Sequence, residues 1–546
     1  MENSNTKGHI YKRENRDMDI FSLNCLFLLV ISIIAGVLYL LFTTDIGAYM
    51  LELLAGFRQL PVALVVLVFA ASGFSVLIGL KSKIYRDMFL VNVVFLCILL
   101  ICYMYYQMVT GDGVINSELP YLLHFGINFR VDPLTFMMLS GASFLWLMSI
   151  IYGHHYIKIE EKSGGRFFFW MLTALGGVFG ALMASDLLTL FLFFEIMYFS
   201  CYFLVSHNQS EPALKAGVRY LYMGIVGGLC LLTGIVVFTV NTGSFSIITI
   251  HDHMPALWVT KQPAVTAATV FILVGIGIKA AVFPFHIWLP DAHSSAPTPA
   301  SAILSGMAIK VYIFSLIKIL YGVLGADISR AMGLFRLLPP LAVLGMIMGS
   351  VFAIGNRDVK KILAYSTVAQ VGYMVLGIGM GTRLGMAAAL FHITSHVLMK
   401  AALFLSAGAI LLQKGTRDVK DFQGLCYEMP VTMTVFTLGG MAMIGVPGLN
   451  GFMSKWYLAI AALDIGKPVY VVMILVSSFL NAMYYLPIMN AAFLSQQKAR
   501  PKVPAMDALP KTMLVPLIIL AGGMVFFGFF PQLLMDFINH GIRMLY

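Results

Sequence analysis

Runs of about 20 apolar residues recur along the whole chain and are separated by short polar segments. A run of this length crosses the roughly 30 Å hydrocarbon core of a bilayer as an α-helix. The 546 residues are 60% hydrophobic and only 11% charged, which excludes a soluble globular domain. The chain is therefore predicted to be an all-α polytopic membrane protein.

The apolar runs predict about fifteen membrane-spanning helices. Their approximate bounds are 20–43, 60–80, 87–108, 134–152, 167–185, 187–206, 215–241, 265–288, 300–324, 337–356, 364–379, 385–412, 431–463, 468–494 and 512–536. The first run is too long for a signal-peptide core, so we expect it to be retained. With the N-terminus inside, the inner segments carry 20 Lys and Arg residues and the outer segments 8. This bias predicts a cytoplasmic N-terminus and an outside C-terminus. The expected location is the inner (cytoplasmic) membrane of the cell.

The charge and the cysteines argue against several other classes of protein. The formal charge is +10, but the basic residues are spread over short loops, so no nucleic-acid partner is expected and the lipid bilayer is the surrounding medium. Six cysteines are scattered and form no C-x-x-C pair, and neither a Walker loop nor a dinucleotide fingerprint occurs. We expect no cofactor and no metal in this chain.

Several charged residues fall at membrane depth, where each is costly and is usually kept for a function. The one deep acid is Glu195, near the middle of span 187–206. Seven basic residues fall inside predicted spans: Lys215, Arg219, Lys279, Lys310, Lys318, Lys400 and Lys455. Lys215 and Lys318 lie toward helix ends, where a lysine can simply snorkel to the interface.

Two spans contain helix-breaking residues near a lysine. Pro284 and Pro290 follow Lys279, and Pro447 and Gly448 precede Lys455. Proline removes a backbone donor, so each helix should break inside the membrane. A pair of broken helices at corresponding places predicts two inverted five-helix repeats, 167–324 and 337–494. The rest of the chain would be a cytoplasmic segment 1–19, N-terminal helices 20–152 and a C-terminal helix 512–536.

Three titratable residues, His392, His396 and Lys400, are spaced by four and share one helix face. Bridged by water, they could pass protons, since histidine titrates near neutral pH. A zinc pair or histidines bonded to nearby hydroxyls are the alternatives for the two imidazoles. Glu195 beside a cation would form a switch, because separating the pair alters both protonation states. A purely structural ion pair is the alternative.

Four segments together resemble one family of membrane subunits. They are Phe-Phe-Glu195, Lys279-Ala-Ala-Val-Phe-Pro-Phe-His-Ile-Trp-Leu-Pro-Asp-Ala-His, Gly355-Asn-Arg-Asp-Val-Lys-Lys-Ile-Leu-Ala-Tyr-Ser and His392-x3-His396-x3-Lys400. The chain resembles, from about residue 60 to 536, the antiporter-like subunits shared by respiratory complex I, membrane-bound energy-converting hydrogenases and Mrp-type cation/proton antiporters. Each segment alone is a weak signal, but the ordered set is specific.

The resemblance implies fourteen helices with two inverted repeats, so a helix at 20–43 would be an addition. It implies that Glu195, Lys279 and Lys455 stand at the family's charged positions. Lys310 stands at the next one, with Ser305 where some members have histidine. A family lysine falls on Arg219, a departure, because arginine cannot release a proton. Lys215, one turn earlier, would then relay protons.

The expected function is that of a proton-translocating, non-redox subunit of a hydrogenase-like or complex I-like assembly. Glu195 would pair with Arg219 or Lys215, and the pair would bias Lys279. Protons would pass through Lys310 and the face of His392, His396 and Lys400 toward Lys455. Other membrane subunits and peripheral iron–sulfur redox subunits are the expected partners. The alternatives are a subunit of an Mrp-type Na⁺/H⁺ antiporter without redox activity, and a structural scaffold.

Overall fold

The computed structural model describes residues 59–111, 113–119, 126–160, 164–494 and 507–544. Thirteen helices within these ranges are long and apolar enough to cross a membrane. They are α1 Leu60–Lys81, α2 Lys83–Thr110, α3 Pro133–Glu160, α4 Gly164–Met183, α5 Leu187–Val205, α6 Glu211–Thr242, α8 Gln262–Lys279, α10 Thr298–Val323, α12 Leu334–Ile354, α13 Val359–Gly379, α14 Arg383–Lys414, α17 Pro468–Leu494 and α18 Lys511–Phe529. The predicted class of all-α polytopic membrane protein is confirmed. The predicted segment 1–19 and helix 20–43 lie outside the described residues.

Shorter elements connect these helices. They are the strands β1 Ile115–Leu119 and β2 Ile127–Val131 and the helices α7 Ile247–Thr260, α9 Leu289–Ser295, α11 Ala326–Ala331, α15 Pro430–Ile444, α16 Asn450–Asp464 and α19 Pro531–Arg543. The two strands form an antiparallel hairpin. Neither the hairpin nor α7 was predicted, because these short elements contain no long apolar run.

Three helices form the centre of the molecule. About nine-tenths of the membrane-spanning window of α10, α13 and α14 is buried, against 28% for the peripheral α17. A helix that is covered on all sides has protein rather than lipid around its polar side chains, so lysines and histidines can lie there at membrane depth. These central helices carry four of the predicted site residues: Lys310, His392, His396 and Lys400.

Both proline-containing spans are interrupted. Helix α8 ends at Lys279, and a 3₁₀ turn at Phe285–Trp288 leads into α9, so the predicted span 265–288 is too long at its end. The predicted span 431–463 is two helices, α15 and α16. Between them Gly445 and Gly448 have φ of 97° and 87°, a backbone conformation that glycine adopts without steric cost. The predicted 512–536 is likewise two helices, α18 and α19. The division into two inverted repeats stays a prediction.

Candidate functional site

The predicted central acid, Glu195, lies on α5 and faces the last residue of α8. Its Oε1 is 3.0 Å from Nζ of Lys279, whose side chain is fully buried, while Glu195 is 22% exposed. The two atoms form an ion pair. The pair therefore joins a buried ammonium to a carboxylate that is still partly accessible.

Arg219 and Lys215 do not pair with Glu195, so that prediction was wrong. Arg219 donates from Nη1 to Oδ2 of Asp291, at the partly exposed start of α9. Lys215 Nζ lies 2.6 Å from Oε1 of Glu211, and both side chains are more than 70% exposed. These two basic residues therefore belong to surface ion pairs.

Arg219 and Lys215 lie too far along α6 from Glu195 to pair with it. Glu195 meets this helix at Gly228, where an added Cβ would lie 2.7 Å from Oε1. Arg219 lies nine residues earlier and Lys215 thirteen, which correspond to about 14 Å and 20 Å along the helix axis. Neither side chain spans that distance, whereas Lys279 on α8 lies directly opposite the carboxylate.

Lys310 lies on α10 immediately after a π-helical turn, Leu304–Ala308. Its ammonium donates to the carbonyl of Ser305, inside that turn. The Oγ of Ser305 is 2.8 Å from Oγ1 of Thr367 on α13. A π turn is a wide, locally distorted turn that occurs frequently at functional sites, and here it joins the lysine to a hydroxyl pair between two central helices.

The predicted row on α14 is fully buried and faces α13 and α16: His392, His396 and Lys400. Lys400 donates to the carbonyl of Leu363 at 2.7 Å and to the hydroxyl of Ser366. Nδ1 of His392 is 2.8 Å from Oγ of Ser454. Neither ring nitrogen of His396 has a hydrogen-bond partner among the described residues. His392 and Lys400, at the two ends of the row, are therefore hydrogen-bonded, whereas His396 between them is not.

Polar residues on α13 line the opposite side of this row, and none of them was predicted as a site residue: Ser366, Thr367, Gln370 and Tyr373. Their spacing of one, three and three residues puts them on one helix face. Tyr373 stacks on His392 with ring centroids 5.4 Å apart and lies 5.0 Å from Nζ of Lys455. Their helical spacing within the apolar span 364–379 was the signal that could have found them.

Lys455 lies just after the second helix break, which contains Pro447 and Gly448. Its Nζ donates to the carbonyls of Met443 and Ile444 at 2.8 Å and to Oγ of Ser478 at 2.9 Å. The last carbonyls of a helix have no partner within the helix and carry its partial negative charge. The break at the end of α15 therefore supplies the binding site for this ammonium.

At the first helix break, a side chain other than the lysine bonds to a terminal carbonyl of the helix. Pro284 precedes the 3₁₀ turn, and Pro290 lies at the start of α9. Nε1 of Trp288 donates to the carbonyl of Ile278 at 2.9 Å, near the end of α8. An indole therefore holds a terminal carbonyl of α8, and the ammonium of Lys279 stays free to meet Glu195.

Lys318 bonds to the end of a neighbouring helix. Its Nζ donates to the carbonyls of Leu182 and Ala184, at the C-terminal end of α4, at 2.5 and 2.9 Å. Among the described residues, Lys310, Lys318, Lys400 and Lys455 have oxygen partners but no carboxylate within ion-pair distance. In this part of the chain, only Lys279 of the lysines at membrane depth lies against a carboxylate.

A second buried charged cluster was not predicted. Arg86 Nη2 and His154 Nδ1 each lie 2.6 Å from a carboxylate oxygen of Asp87, and all three residues are buried. Arg86 falls between the predicted spans 60–80 and 87–108, so it was expected in a connecting segment. Within the described parts of the chain, no group of three or more His, Cys, Asp or Glu is arranged to hold a metal ion.

A family profile described as NADH:quinone oxidoreductase/Mrp antiporter, transmembrane, matches residues 184–481. The match covers more than half of the chain and includes Glu195, Lys279, Lys310, the α14 row and Lys455. The chain belongs to this family. The resemblance to antiporter-like membrane subunits is confirmed.

Individual relatives of this antiporter family come from three kinds of complex. The chain is 36% identical over 418 residues to the N subunit of the NADH-quinone oxidoreductase of Desulforudis audaxviator, covering 74% of this chain and 83% of the relative. It is 30% identical over 466 residues to a Na⁺/H⁺ antiporter subunit of Alkalihalophilus pseudofirmus, covering 80% and 57%. It is 28% identical over 419 residues to hydrogenase-4 component B of Escherichia coli, covering 72% and 61%.

Solved structures within complexes have the same fold. One polypeptide of the archaeal membrane-bound sulfane sulfur reductase superposes with a TM-score of 0.81 at 25% identity, covering 89% of this chain and 98% of that one. One polypeptide of the Mrp complex from Dietzia sp. superposes with a TM-score of 0.77 at 24% identity, covering 89% and 98%. This antiporter-like chain thus has the fold of proteins found in both complexes.

Proposed function

We propose that this chain is the proton-translocating, non-redox subunit of an energy-converting membrane complex of the hydrogenase or complex I kind. The observation that carries the proposal is the ion pair of Glu195 and buried Lys279, beside buried lysines and histidines on the central helices. Charged groups at membrane depth are costly and are kept where they move protons or ions. Relatives named as NADH-quinone oxidoreductase and hydrogenase proteins support this assignment.

Opening of the ion pair is the step that couples partner subunits to the proton path. While Glu195 lies 3.0 Å from Lys279, the carboxylate favours the charged form of the lysine. When the pair separates, a buried ammonium loses its counter-charge, and lysine, unlike arginine, can release its proton. The driving event would be a conformational change in a neighbouring protein of the complex.

The path beyond Lys279 runs through the central helices. Lys310 is joined to α13 through Ser305 and Thr367, and Lys400 to α13 through Ser366. Water molecules would connect Lys310 and Lys400 to His396, and His396 to His392. From there Tyr373, which contacts both His392 and Lys455, and Ser454, which bonds to His392, would lead to Lys455.

The assembly around the chain follows from the same proposal. Other membrane subunits would cover part of its lipid-facing surface, and peripheral iron–sulfur subunits would carry the electrons. No cofactor would bind in this chain. The protein would lie in the cytoplasmic membrane with its N-terminus inside and its C-terminus outside, as the distribution of Lys and Arg favours.

Replacing Lys279 with Ala tests the proposal. Proton transport by the complex in sealed vesicles should be abolished, whereas the amount of assembled complex should be unchanged. The exposed Lys261→Ala, between α7 and α8, is the matched control and should transport normally. Normal transport by Lys279→Ala would refute the role of Lys279 and with it the proposed path.

A second candidate is a component of an Mrp-type Na⁺/H⁺ antiporter, favoured by 30% identity to a Na⁺/H⁺ antiporter protein. Purifying the complex in mild detergent through a tag on this chain separates the candidates. Nickel and iron–sulfur proteins would indicate a hydrogenase, and flavin with iron–sulfur proteins a complex I-like oxidoreductase. Small membrane proteins without redox metals would indicate the antiporter. A scaffold without transport predicts little effect of Glu195→Gln.

A further inference from the structure

The ring of Tyr198 lies against the ammonium of Lys279. Nζ is 4.1 Å from the ring centroid, well within the distance at which the negative face of an aromatic ring attracts a cation. Tyr198 follows Glu195 by three residues on α5, so the two side chains share a helix face. The ammonium therefore has two partners on neighbouring turns of one helix, a carboxylate and a ring.

The ring is held firmly in this position. The hydroxyl of Tyr198 donates to the carbonyl of Tyr220 on α6, and the two rings stack with centroids 4.1 Å apart. A Cβ at position 224 would overlap the ring, so Gly224 leaves the space that the ring fills. Tyr198 is 2% exposed. Its hydroxyl is bonded to a carbonyl, and only the ring face meets the lysine.

We propose that Tyr198 is a positioning residue that holds the Lys279 ammonium when Glu195 separates from it. This inference rests on the proposed function and names a residue that determines how the ion pair opens. A ring attracts the charged amine without accepting its proton, so it keeps the lysine in place between the carboxylate and the path toward Lys310. Without the ring, the opened pair would leave the ammonium in a fully buried site where it has no hydrogen-bond partner among the described residues.

The conservative variants separate the ring from the hydroxyl. Tyr198→Phe keeps the aromatic face and removes the bond to Tyr220, whereas Tyr198→Leu removes the face. We expect proton transport within about twofold of wild type for Tyr198→Phe and a loss of at least about tenfold for Tyr198→Leu. Phe199→Leu, a neighbouring ring that is 44% exposed, is the matched control and should transport normally.

A double-mutant cycle on thermal unfolding of the purified complex tests the contact itself. Tyr198→Leu should lower the unfolding midpoint more in the wild-type background than in the Lys279→Met background, because only the former contains the cation. Equal shifts in both backgrounds, or equal transport by Tyr198→Leu and wild type, would overturn the proposal. The unfolding cycle does not depend on transport, so it distinguishes failure of this inference from failure of the proposed path.

Discussion

Glu195 forms an ion pair with a buried lysine and is itself partly exposed. Its carboxylate is the only one within ion-pair distance of a lysine at membrane depth among the described residues, and it is partly exposed while its partner is buried. An acid at this depth that is partly exposed can respond to a neighbouring protein, whereas the buried Lys279 contacts Glu195 and Tyr198.

Glu195→Gln should reduce proton transport strongly with little effect on assembly. The amide keeps the shape but not the charge, so the lysine is no longer biased by its partner. Couplings between sites are typically about 1–3 kcal/mol, which corresponds to about 5–150-fold. The measurement is proton uptake into vesicles containing the complex, with Glu211→Gln, an exposed acid on α6, as control. Unchanged uptake would favour the scaffold alternative.

Substitutions of Lys455 can separate its role in bonding the end of α15 from a role in proton transfer. Lys455→Arg should keep the bonds to the carbonyls of Met443 and Ile444 but remove transport, since arginine does not release a proton. Lys455→Met should lose transport and also lower the unfolding midpoint, because buried carbonyls lose their donor at a cost of about 1–3 kcal/mol. Transport by the arginine variant would show that Lys455 only caps α15.

At the scale of elements, small residues let charged groups lie between helices. The contact of α5 with α6 depends on Gly228 beside Glu195 and Gly224 beside Tyr198. In membranes, such residues allow close approach of helix backbones. Here they leave space for a carboxylate and a ring, so the glycines of α6 belong to the site although they carry no chemistry.

Gly228→Ala should therefore reduce transport to a similar extent as Glu195→Gln. The added Cβ would lie 2.7 Å from Oε1 and would displace the carboxylate from Lys279. Gly522→Ala on α18 is the matched control, since its Cβ would meet nothing within 4 Å. If both variants transport like wild type, the observed position of the carboxylate is not needed for function.

Lys318 on α10 also links two helices, because it bonds to the end of α4. Lys318→Met should lower the unfolding midpoint, since the carbonyls of Leu182 and Ala184 lose their ammonium donor, about 1–3 kcal/mol in all. Lys318→Arg supplies other donors and should restore most of the stability. Equal stability of all three proteins would show that water replaces the lysine.

For the whole molecule, the distribution of basic residues predicts the orientation in the membrane. A cysteine at exposed position 420, introduced by Lys420→Cys, should react with a membrane-impermeant maleimide only in inside-out vesicles. Asp252→Cys on the exposed face of α7 should react only in right-side-out vesicles. The wild-type chain is the control for maleimide labelling of the native cysteines. The reverse pattern would invert the topology.

Sequence reasoning predicted the long helices well and the connections poorly. Each spanning helix has a run of apolar residues that must be helical in lipid, so α5 and α14 were found within a few residues of their bounds. The hairpin of β1 and β2 and the helix α7 carry no such run. The residues of the site were identified by the cost of charge at membrane depth, but their partners were not.

The sequence by itself determined that the chain crosses the membrane many times, that the spans around Lys279 and Lys455 break, and that a set of charged residues lies at depth, although Lys215 and Arg219 prove to be surface residues. These follow from local composition, because the bilayer penalises every polar group wherever it lies in the fold. Only the tertiary structure decided that Glu195 meets Lys279 and Tyr198, and that Arg219 meets Asp291. Pairing depends on which turns of two helices come opposite each other, and packing between helices sets that register.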